Sequence, residues 1–316
     1  MAVHSVEAVI QNSMAAEAAV AWYQSRLGFV CAASDVLTGP QLAALFQWPE
    51  STSLQRWILR LGEETLQIWG WPAGACAPYP DSWGGNDRWF QHICLVSDNL
   101  TAQVEAMAPD RLGVISSAPQ TLPDWNPAAA GIQAFKFKDP DGHPLELLQF
   151  PADKGDPRWH QAQVPSGQPK GMDHSAISIA NTESSLAFYR DVLGFALKGQ
   201  GVNSGIEQDR MDGLPQTRVA ITAIGPSAGA MGIEFLNYQS PPGGRDRQQP
   251  LWSDLCDRKL LLKSSNLRAL HQQLLADQAS NHCSALVAID PALLGAPMAF
   301  TVRDPDGHGL IVMGDL

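Results

Sequence analysis

The sequence lacks the marks of a secreted or membrane-spanning protein. Its 316 residues contain no run of eighteen apolar residues. Residues 1–14 lack the basic and apolar regions of a signal peptide. The five cysteines, an odd number with no CxxC pair, favour reduced thiols and exclude a thiolate zinc site. We therefore expect a cytoplasmic protein in which histidine and carboxylate side chains hold any metal.

Positive charge is also scarce. Lysine and arginine together number 21 against 32 acidic residues, which gives a formal net charge of −11. Binding to phosphate backbones or to anionic lipid surfaces requires clustered basic side chains, and the sequence has no such cluster. Neither a nucleic acid nor a membrane is expected as a partner.

What the sequence does contain is a strand–turn–strand pattern that occurs twice. In the segment FKFKDPDGHPLELLQF (135–150), phenylalanine alternates with lysine, which is typical of a strand with one buried face. Asp139–Gly142 then predicts a tight turn and an antiparallel return strand. Glu146 is the one charged residue of that strand, so it needs a cation or a donor, such as Lys136 or an arginine. The second copy, FTVRDPDGHGLIVM (300–313), has Ile311 in its place.

The repeat extends over each half of the chain. Helical patterns at Ala15–Arg26 and Thr182–Val192 are each followed by Leu-Gly-Phe, with Gly28 suited to a helix C-cap. The DPDGH turn follows this glycine after 111 positions in the first half and 110 in the second. His143 and His308 follow both turns, which favours a structural role for them.

In each half, a strand is followed by a helix and then by further strands, and this pattern occurs twice. The sequence therefore predicts four βαβββ units. We predict one domain over residues 1–150 (units 1–75 and 88–150) and another over 171–316 (units 171–240 and 252–316). Residues 151–170 are polar and rich in proline and glycine, which indicates a linker.

Three segments carry a specific resemblance: HSAISIANTESSLAFYRDVLGF (174–195), FQHICLVSDNL (90–100) and DPDGHPLELLQF (139–150). They resemble the vicinal oxygen chelate superfamily, which includes glyoxalase I, extradiol dioxygenases and bleomycin-resistance proteins. The resemblance implies an α+β fold in which four βαβββ units form two glyoxalase-like domains with curved, mainly antiparallel sheets.

The resemblance also implies a metal site, because in this superfamily the first and last strands of a unit supply the ligands. The matching positions are His92 and Glu146 in unit two, and His174 and Glu234 in unit three. These side chains would bind one divalent ion, Ni²⁺, Co²⁺, Mn²⁺, Fe²⁺ or Zn²⁺. Glu146 or Glu234 would act as the catalytic base; the sequence does not choose between them.

Units one and four depart from this pattern. Lys259 replaces His92, where it could be an amine catalyst or a salt-bridge substitute for lost metal, and Ile311 replaces Glu146. Gln67 replaces Glu234, and the counterpart of His174 is Ser5, Glu7 or a neighbour. If unit two pairs with unit three across the linker, the four ligands meet; we hypothesise this crossed pairing. It would complete a monomer, whereas pairing in chain order would favour a homodimer.

The leading interpretation is a metal-dependent glyoxalase-type isomerase or lyase. It would act next to a carbonyl through a metal-bound, enediolate-like intermediate on a small substrate with vicinal oxygens. One alternative is a non-haem Fe(II) extradiol-type dioxygenase that uses two histidines and one carboxylate. The other is a metal-free small-molecule binding protein.

Overall fold

The structure is a computed structural model that describes residues 3–107, 113–161, 164–165, 167–229, 231–245, 250–276 and 282–315. Strands dominate, and the helices lie against them. The α+β class and the mainly antiparallel sheets predicted from the sequence are confirmed. Among the helices of the described residues, none is long and apolar enough to cross a membrane.

The elements follow the predicted order of four units. Unit one contains β1 (Val3–Ser13), α1 (Ala16–Leu27), β2 (Val30–Thr38), α2 (Pro40–Phe46), β3 (Ser53–Leu61) and β4 (Glu64–Gly70). Unit two contains β5 (Phe90–Val96), α3 (Leu100–Met107), β6 (Gln120–Thr121), β7 (Gln133–Lys138) and β8 (Pro144–Gln149).

A short helix, α4 (Pro157–Gln161), lies between the halves. Unit three contains β9 (Met172–Ser178), α5 (Thr182–Leu186) with a π-helical continuation (Ala187–Val192), β10 (Ala196–Ser204), α6 (Ile206–Asp212), β11 (Arg218–Gly225) and β12 (Gly232–Ser240). Unit four contains β13 (Lys259–Ser264), α7 (Leu267–Ala276), β14 (His282–Cys283), β15 (Val287–Ala288), α8 (Pro291–Leu294), β16 (Met298–Arg303) and β17 (Gly309–Gly314).

The strands form two sheets, and each sheet combines units from both halves of the chain. One sheet has the order β14-β16-β17-β13-β1-β4-β3-β2, with β15 beside β16, and therefore contains units four and one. The other has the order β10-β11-β12-β9-β5-β8-β7-β6 and contains units three and two. The antiparallel pairs β5–β9 and β1–β13 join the units. The hypothesis of crossed pairing is confirmed; the proposed domain boundaries stay a prediction.

The apolar core lies between the sheets and takes side chains from all four units. Its largest cluster contains residues of both sheets and of the helices that pack against them, among them Val9, Ile93, Ile177, Tyr189 and Leu262. Burial of such side chains stabilises by about 1.5–3 kcal/mol each. One shared core therefore holds the two crossed sheets together.

The DPDGH turns connect the sheets to each other. Asp139 Oδ1 accepts hydrogen bonds from the backbone N–H of Asp141 and His143, at 2.9 and 2.8 Å. Its Oδ2 accepts one from the Tyr23 hydroxyl of α1, at 2.9 Å. His143 Nε2 lies 2.7 Å from the carbonyl oxygen of Asn12 in β1. The turn of unit two is thereby fixed to unit one, although the two units belong to different sheets.

The second turn makes the same contacts with unit three. Asp304 Oδ1 accepts hydrogen bonds from the N–H of Asp306 and His308, and Tyr189 donates to its Oδ2 at 3.2 Å. His308 Nε2 lies 2.9 Å from the carbonyl oxygen of Ser178. Both histidines are buried in turn contacts, which confirms the structural role predicted for them.

The segment predicted as a linker packs against both halves. Trp159 of α4 is buried, and its Nε1 donates to Asp173 Oδ1 at 2.6 Å. Arg158 forms an ion pair with Glu64 of β4. Residues 162, 163 and 166 lie outside the described residues. Although the segment is rich in proline and glycine, the contact between Trp159 of α4 and Asp173 of β9 holds it against the start of unit three.

Candidate metal centre

The four predicted ligands meet in one cavity of about 280 Å³ on the face of the sheet formed by units two and three. His92 and His174 lie on the antiparallel neighbours β5 and β9, where His92 pairs with Ala176 and Cys94 with His174. Glu146 of β8 pairs with Cys94 of β5, and Glu234 of β12 pairs with Ala176 of β9. Four adjacent strands thus each supply one side chain.

The reactive atoms of these side chains are close together. The ligand atoms of His92, Glu146 and His174 lie within 4.8 Å of one another. Glu146 Oε2 is 3.0 Å from His92 Nε2 and 3.9 Å from His174 Nε2. Glu234 Oε2 is 3.3 Å from His174 Nε2, and 26% of its side chain is exposed. Glu234 is therefore the member of the group that faces the solvent.

The outer nitrogens of both imidazoles are engaged. His174 Nδ1 lies 2.9 Å from Asp173 Oδ2, and His92 Nδ1 contacts Gln91 Oε1. The Nε2 atoms of both rings are buried, and the carboxylate oxygens near them, at 3.0 Å for His92 and 3.3 Å for His174, are not aligned for a hydrogen bond. An Nδ1–H that donates to oxygen directs Nε2 at the centre, where a metal ion would take the place of any proton on it, as is usual for histidine ligands.

Burial and mutual charge determine the protonation of the group. Burial lowers the pKa of His92 to about 4, against the opposing effect of Glu146. Burial would also lower the pKa of His174, but the Glu234 charge and the hydrogen bond with Asp173 raise it well above its ordinary value.

The two carboxyls respond in opposite directions. Burial would raise the pKa of Glu146, but His92 and Lys136 hold it far below its usual range. Burial, together with the Glu146 charge, raises the pKa of Glu234. At neutral pH a negative charge at Glu146 thus faces a neutral imidazole of His92.

The sequence suggested Lys136 as a partner of Glu146, but in the structure the ion pair of Lys136 is with Asp212. Lys136 lies opposite Glu146 in the β7–β8 pair, yet its Nζ donates to Asp212 Oδ1 of α6 at 2.7 Å. Asp212 also accepts hydrogen bonds from Gln208 and Tyr238, at 2.7 and 3.0 Å. Lys136 therefore acts on Glu146 as a nearby charge and anchors α6 over the cavity.

Sequence reasoning missed Gln91, Asp173 and Asp212. Gln91 and Asp173 each precede a predicted ligand, and strand periodicity places neighbours on opposite faces. A register shift in the β5–β9 pair lies between Phe90 and His92, at Gln91. Asp173 could have been recognised from its position next to a predicted ligand. Asp212 could not, because it lies on α6, which packs against the cavity only in the folded chain.

The equivalent positions in the other sheet follow from the pairing registers. Ile311 pairs with Leu261 in the same way that Glu146 pairs with Cys94. Lys259 comes two residues before Leu261, and His92 comes two residues before Cys94, so Lys259 has the position of His92. Gln67 is beside Ile10 as Glu234 is beside Ala176. The counterpart of His174 is Ala8, which faces Leu261, rather than Ser5 or Glu7 themselves. None of these four side chains is a histidine or a carboxylate.

Apolar packing fills the space at this second position. Phe46 lies edge-on to both Trp69 and Trp252, at centroid distances of 5.6 and 5.5 Å. Lys259 is fully buried; its Nζ donates to the carbonyl oxygen of Asp257 at 2.7 Å and lies 3.5 Å from the Asp257 carboxylate. This pair agrees with the salt-bridge alternative for Lys259, and an apolar core cluster lies where the other sheet has the candidate metal centre.

Comparisons with known proteins agree with this architecture. A family model described as Glyoxalase/Bleomycin resistance protein/Dioxygenase superfamily matches residues 171–312. The crystal structure of glyoxalase I from Zea mays is similar, with 13% identity and a TM-score of 0.61 over 98% of this chain and 92% of that one. A putative dioxygenase from Bacillus subtilis is 11% identical, with a TM-score of 0.60 over 99% and 86%. No curated protein matched the sequence. At these identities the structural likeness shows the fold alone.

Proposed function

Since residues 171–312 match the model of the glyoxalase, bleomycin-resistance and dioxygenase superfamily and the whole chain has a similar fold to glyoxalase I, we propose that it is a metal-dependent enzyme of the glyoxalase type. It would isomerise or eliminate at a carbon next to a carbonyl. The observation that carries the proposal is the pair of buried Nε2 atoms in His92 and His174. Neither has an aligned hydrogen bond, although Glu146 Oε2 lies 3.0 Å from His92 Nε2 and Glu234 Oε2 lies 3.3 Å from His174 Nε2.

This donor set fits a divalent metal ion. Two imidazole nitrogens and two carboxylate oxygens suit Ni²⁺, Co²⁺, Mn²⁺, Fe²⁺ or Zn²⁺. Orphaned buried nitrogens are costly in a protein interior, and coordination would satisfy them. Asp173 and Gln91 would hold the rings in orientation. When bound, such an ion polarises a carbonyl oxygen and makes the neighbouring C–H bond more acidic.

The side chains suggest separate roles for the two glutamates. Glu146 is 5% exposed and lies between His92 and Lys136, so we assign it to ligation alone. The Glu234 side chain is more exposed, and among the described residues its ion-pair contact is with His174. It is therefore the carboxylate with room to take a proton from the carbon next to the carbonyl and to return it to a neighbouring atom.

The first test is metal content. One divalent ion per chain is expected in the purified protein, and the ion should be lost in both His92→Ala and Glu146→Ala. Gln67→Ala is the matched control, because Gln67 has the register position of Glu234 in the sheet that lacks the site. A metal-free wild-type protein that also fails to bind added ions would favour a binding protein and contradict the proposal.

The second test follows the proton. A 2-hydroxy ketone such as 2-hydroxyacetophenone, incubated in D₂O with the metal-loaded protein, should exchange the hydrogen on its carbon next to the carbonyl, as seen by NMR. Glu234→Gln should slow this exchange by about 10²-fold or more while most of the metal is retained. Equal rates in Glu234→Gln and the wild type would remove Glu234 from the proton transfer.

A second candidate function rests on the same buried trio. His92, Glu146 and His174 alone form the two-histidine, one-carboxylate set of non-haem Fe(II) oxygenases. In that case Glu234 would not be a ligand, and Fe²⁺-loaded protein would consume oxygen with catechol. Oxygen consumption that persists in Glu234→Gln would favour the dioxygenase over the glyoxalase-type enzyme.

A further inference from the structure

Most of the cavity next to the four side chains has an apolar wall. Val219, Ile221 and Ala223 alternate along β11, so they share the face of the sheet that lines the cavity. Leu122 and Met211 cover the cavity from the loop side and from α6. A ligand bound at the polar end would therefore extend its remaining part between aliphatic side chains.

Besides the two proposed histidine ligands, one basic residue lines this cavity in the part of the chain that the structure describes, and its charge is already neutralised. Lys136 is 2% exposed and forms an ion pair with Asp212, which is 3% exposed. Tyr238 and Gln208 complete the hydrogen bonds of Asp212. An added carboxylate beside Lys136 would bring a second negative charge to a buried lysine that Asp212 already neutralises, which is unfavourable.

The other charges of the cavity also balance without a charged substrate. Glu146 and Glu234 together offer the negative charge that a divalent ion neutralises. An anionic group at the far end of a ligand would lose its water between Val219, Ile221 and Met211 and find no matched cation there. Electrostatics therefore select against anionic ligands while the apolar wall selects for a hydrophobic body.

The volume limits the size of that body. The cavity measures about 280 Å³, and an apolar cavity of about 150 Å³ already accommodates benzene. One aromatic ring, or an aliphatic group of similar size, fits next to the polar end. A long peptide conjugate does not fit within the enclosed part.

We propose that the substrate of this site is an uncharged molecule that presents two adjacent oxygens to the metal and one ring-sized apolar group to the β11 wall. This inference depends on the proposed metal-dependent function and adds the substrate class to it. The apolar wall, the matched Lys136–Asp212 pair and the cavity volume support it independently of which reaction the metal serves.

The test uses three hydroxamic acids that share one pair of adjacent chelating oxygens. Benzohydroxamic acid adds a phenyl ring, 4-carboxybenzohydroxamic acid adds the ring and a distal carboxylate, and acetohydroxamic acid has only a methyl group. Each is titrated into Co²⁺-loaded protein by calorimetry, and the Co²⁺ absorption spectrum reports whether the oxygens reach the metal. We expect benzohydroxamic acid to bind at least tenfold more tightly than either of the other two.

Two variants of one wall residue sharpen the test. Ile221 is partly exposed on β11, so a lysine there can place its ammonium group at the cavity. Ile221→Lys should narrow or reverse the preference against 4-carboxybenzohydroxamic acid. Ile221→Met is the matched control and should leave the order of the three probes unchanged.

The outcomes separate the two proposals. If the carboxylated probe binds the wild type as tightly as benzohydroxamic acid, or if all three probes bind within threefold of one another, the substrate class is wrong and the metal site stands. If wild-type protein retains no Co²⁺, the proposed function fails and the substrate class fails with it. The wild-type comparison decides these points even if Ile221→Lys does not fold.

Discussion

The imidazoles of His92 and His174 lie edge to face, with their centroids 5.6 Å apart, although one belongs to the first half of the chain and the other to the second. The antiparallel pair β5–β9 brings them together. Neither half contains all four proposed ligands, so the proposed centre depends on the crossed arrangement of the sheets. Mutations that remove a hydrogen bond orienting either imidazole should therefore reduce metal affinity while the fold is kept.

The first prediction concerns Asp173, which orients His174. In Asp173→Leu the hydrogen bond to Nδ1 is lost, and the ring no longer has a fixed tautomer and orientation. We expect the metal affinity to fall by about 10- to 100-fold. The measurement is competition with a chelator of known affinity, followed by calorimetry of the variant and the wild type.

Asp191→Leu provides the control, because Asp191 pairs with Arg190 on the exposed face of the π-helical segment. Its metal affinity should equal that of the wild type. Since Asp173 also accepts a hydrogen bond from Trp159, the unfolding midpoint of Asp173→Leu is measured alongside. A variant that unfolds earlier yet binds metal with wild-type affinity would show that Asp173 serves the packing of α4 and not the metal centre.

Much of this fold could be predicted from local sequence. The DPDGH turns, the Leu-Gly-Phe helix ends and the alternation at Phe135–Lys138 are short-range signals, and each corresponds to an observed element. The alternation was wrong about exposure, because Lys136 is buried as well and both faces of β7 are covered. Gly28 ends α1 in the left-handed conformation, at φ +69°, as its position predicted. The helix Leu100–Met107 was predicted with the bounds that the structure has.

The parts that could not be predicted depend on contacts between distant segments. Strand β2 is largely exposed, so its sequence has no buried face to give a periodic signal. Helix α2 has four buried residues among seven, too few turns for a helical period to be recognised. Ala8 could not be aligned with His174 from sequence because the β1–β13 pair contains register shifts. The pairing of Lys136 with Asp212 likewise appears only when α6 meets β7.

The second prediction uses this buried ion pair. Lys136→Met leaves the Asp212 carboxylate buried without its cation and should lower the free energy of unfolding by about 3–5 kcal/mol. The double variant Lys136→Met/Asp212→Leu removes both charges and should recover a large part of the loss. Urea denaturation of the single and double variants measures the coupling between the two residues.

The assignment of partners follows from the same series. If Lys136 chiefly stabilised Glu146, replacement of Asp212 in the Lys136→Met background would recover nothing. Asp209→Leu is a useful comparison on the same helix, since Asp209 accepts hydrogen bonds from the backbone of Gln216 and Thr217 and has no ion pair with Lys136 among the described contacts. It should show no coupling with Lys136→Met.

The third prediction concerns acid stability. Burial would raise the pKa of Asp87, but hydrogen bonds from the Arg245 side chain and from the N–H groups of Arg245 and Gly84 lower the pKa below its usual range. The folded pKa is lower than the unfolded one, so the carboxylate stabilises the protein above about pH 4. This stabilisation is lost as the pH falls through the folded pKa.

The measurement is the free energy of unfolding of the wild type and of Asp87→Asn between pH 2 and pH 6. The difference between them should be constant above pH 5 and shrink below pH 4. Asp124→Asn, a change at an exposed residue, should follow the wild type throughout. A difference that grows as the pH falls would mean that the folded pKa of Asp87 is raised and not lowered.

The fourth prediction compares the two tyrosines that hold the DPDGH turns. Tyr23→Phe removes a donor from the buried Asp139 carboxylate, and Tyr189→Phe removes one from Asp304. Each change should lower the free energy of unfolding by about 1–3 kcal/mol, because a buried acceptor loses a hydrogen bond while the ring packing is kept. Thermal and urea unfolding of the two variants measure the effect.

Metal binding distinguishes these variants from changes at the centre. Neither tyrosine contacts the cavity of His92 and Glu146, so metal content and probe affinity should stay at the wild-type level in both. In each turn a tyrosine of the preceding unit donates to the first aspartate, so the two losses should be similar, although Gln11 Nε2 also donates to Asp139 Oδ2 at 3.0 Å. A loss confined to Tyr23→Phe would show that Asp139 is held by Tyr23 while Asp304 relies on its backbone contacts, and that the repeated turn is not equivalent in the two halves.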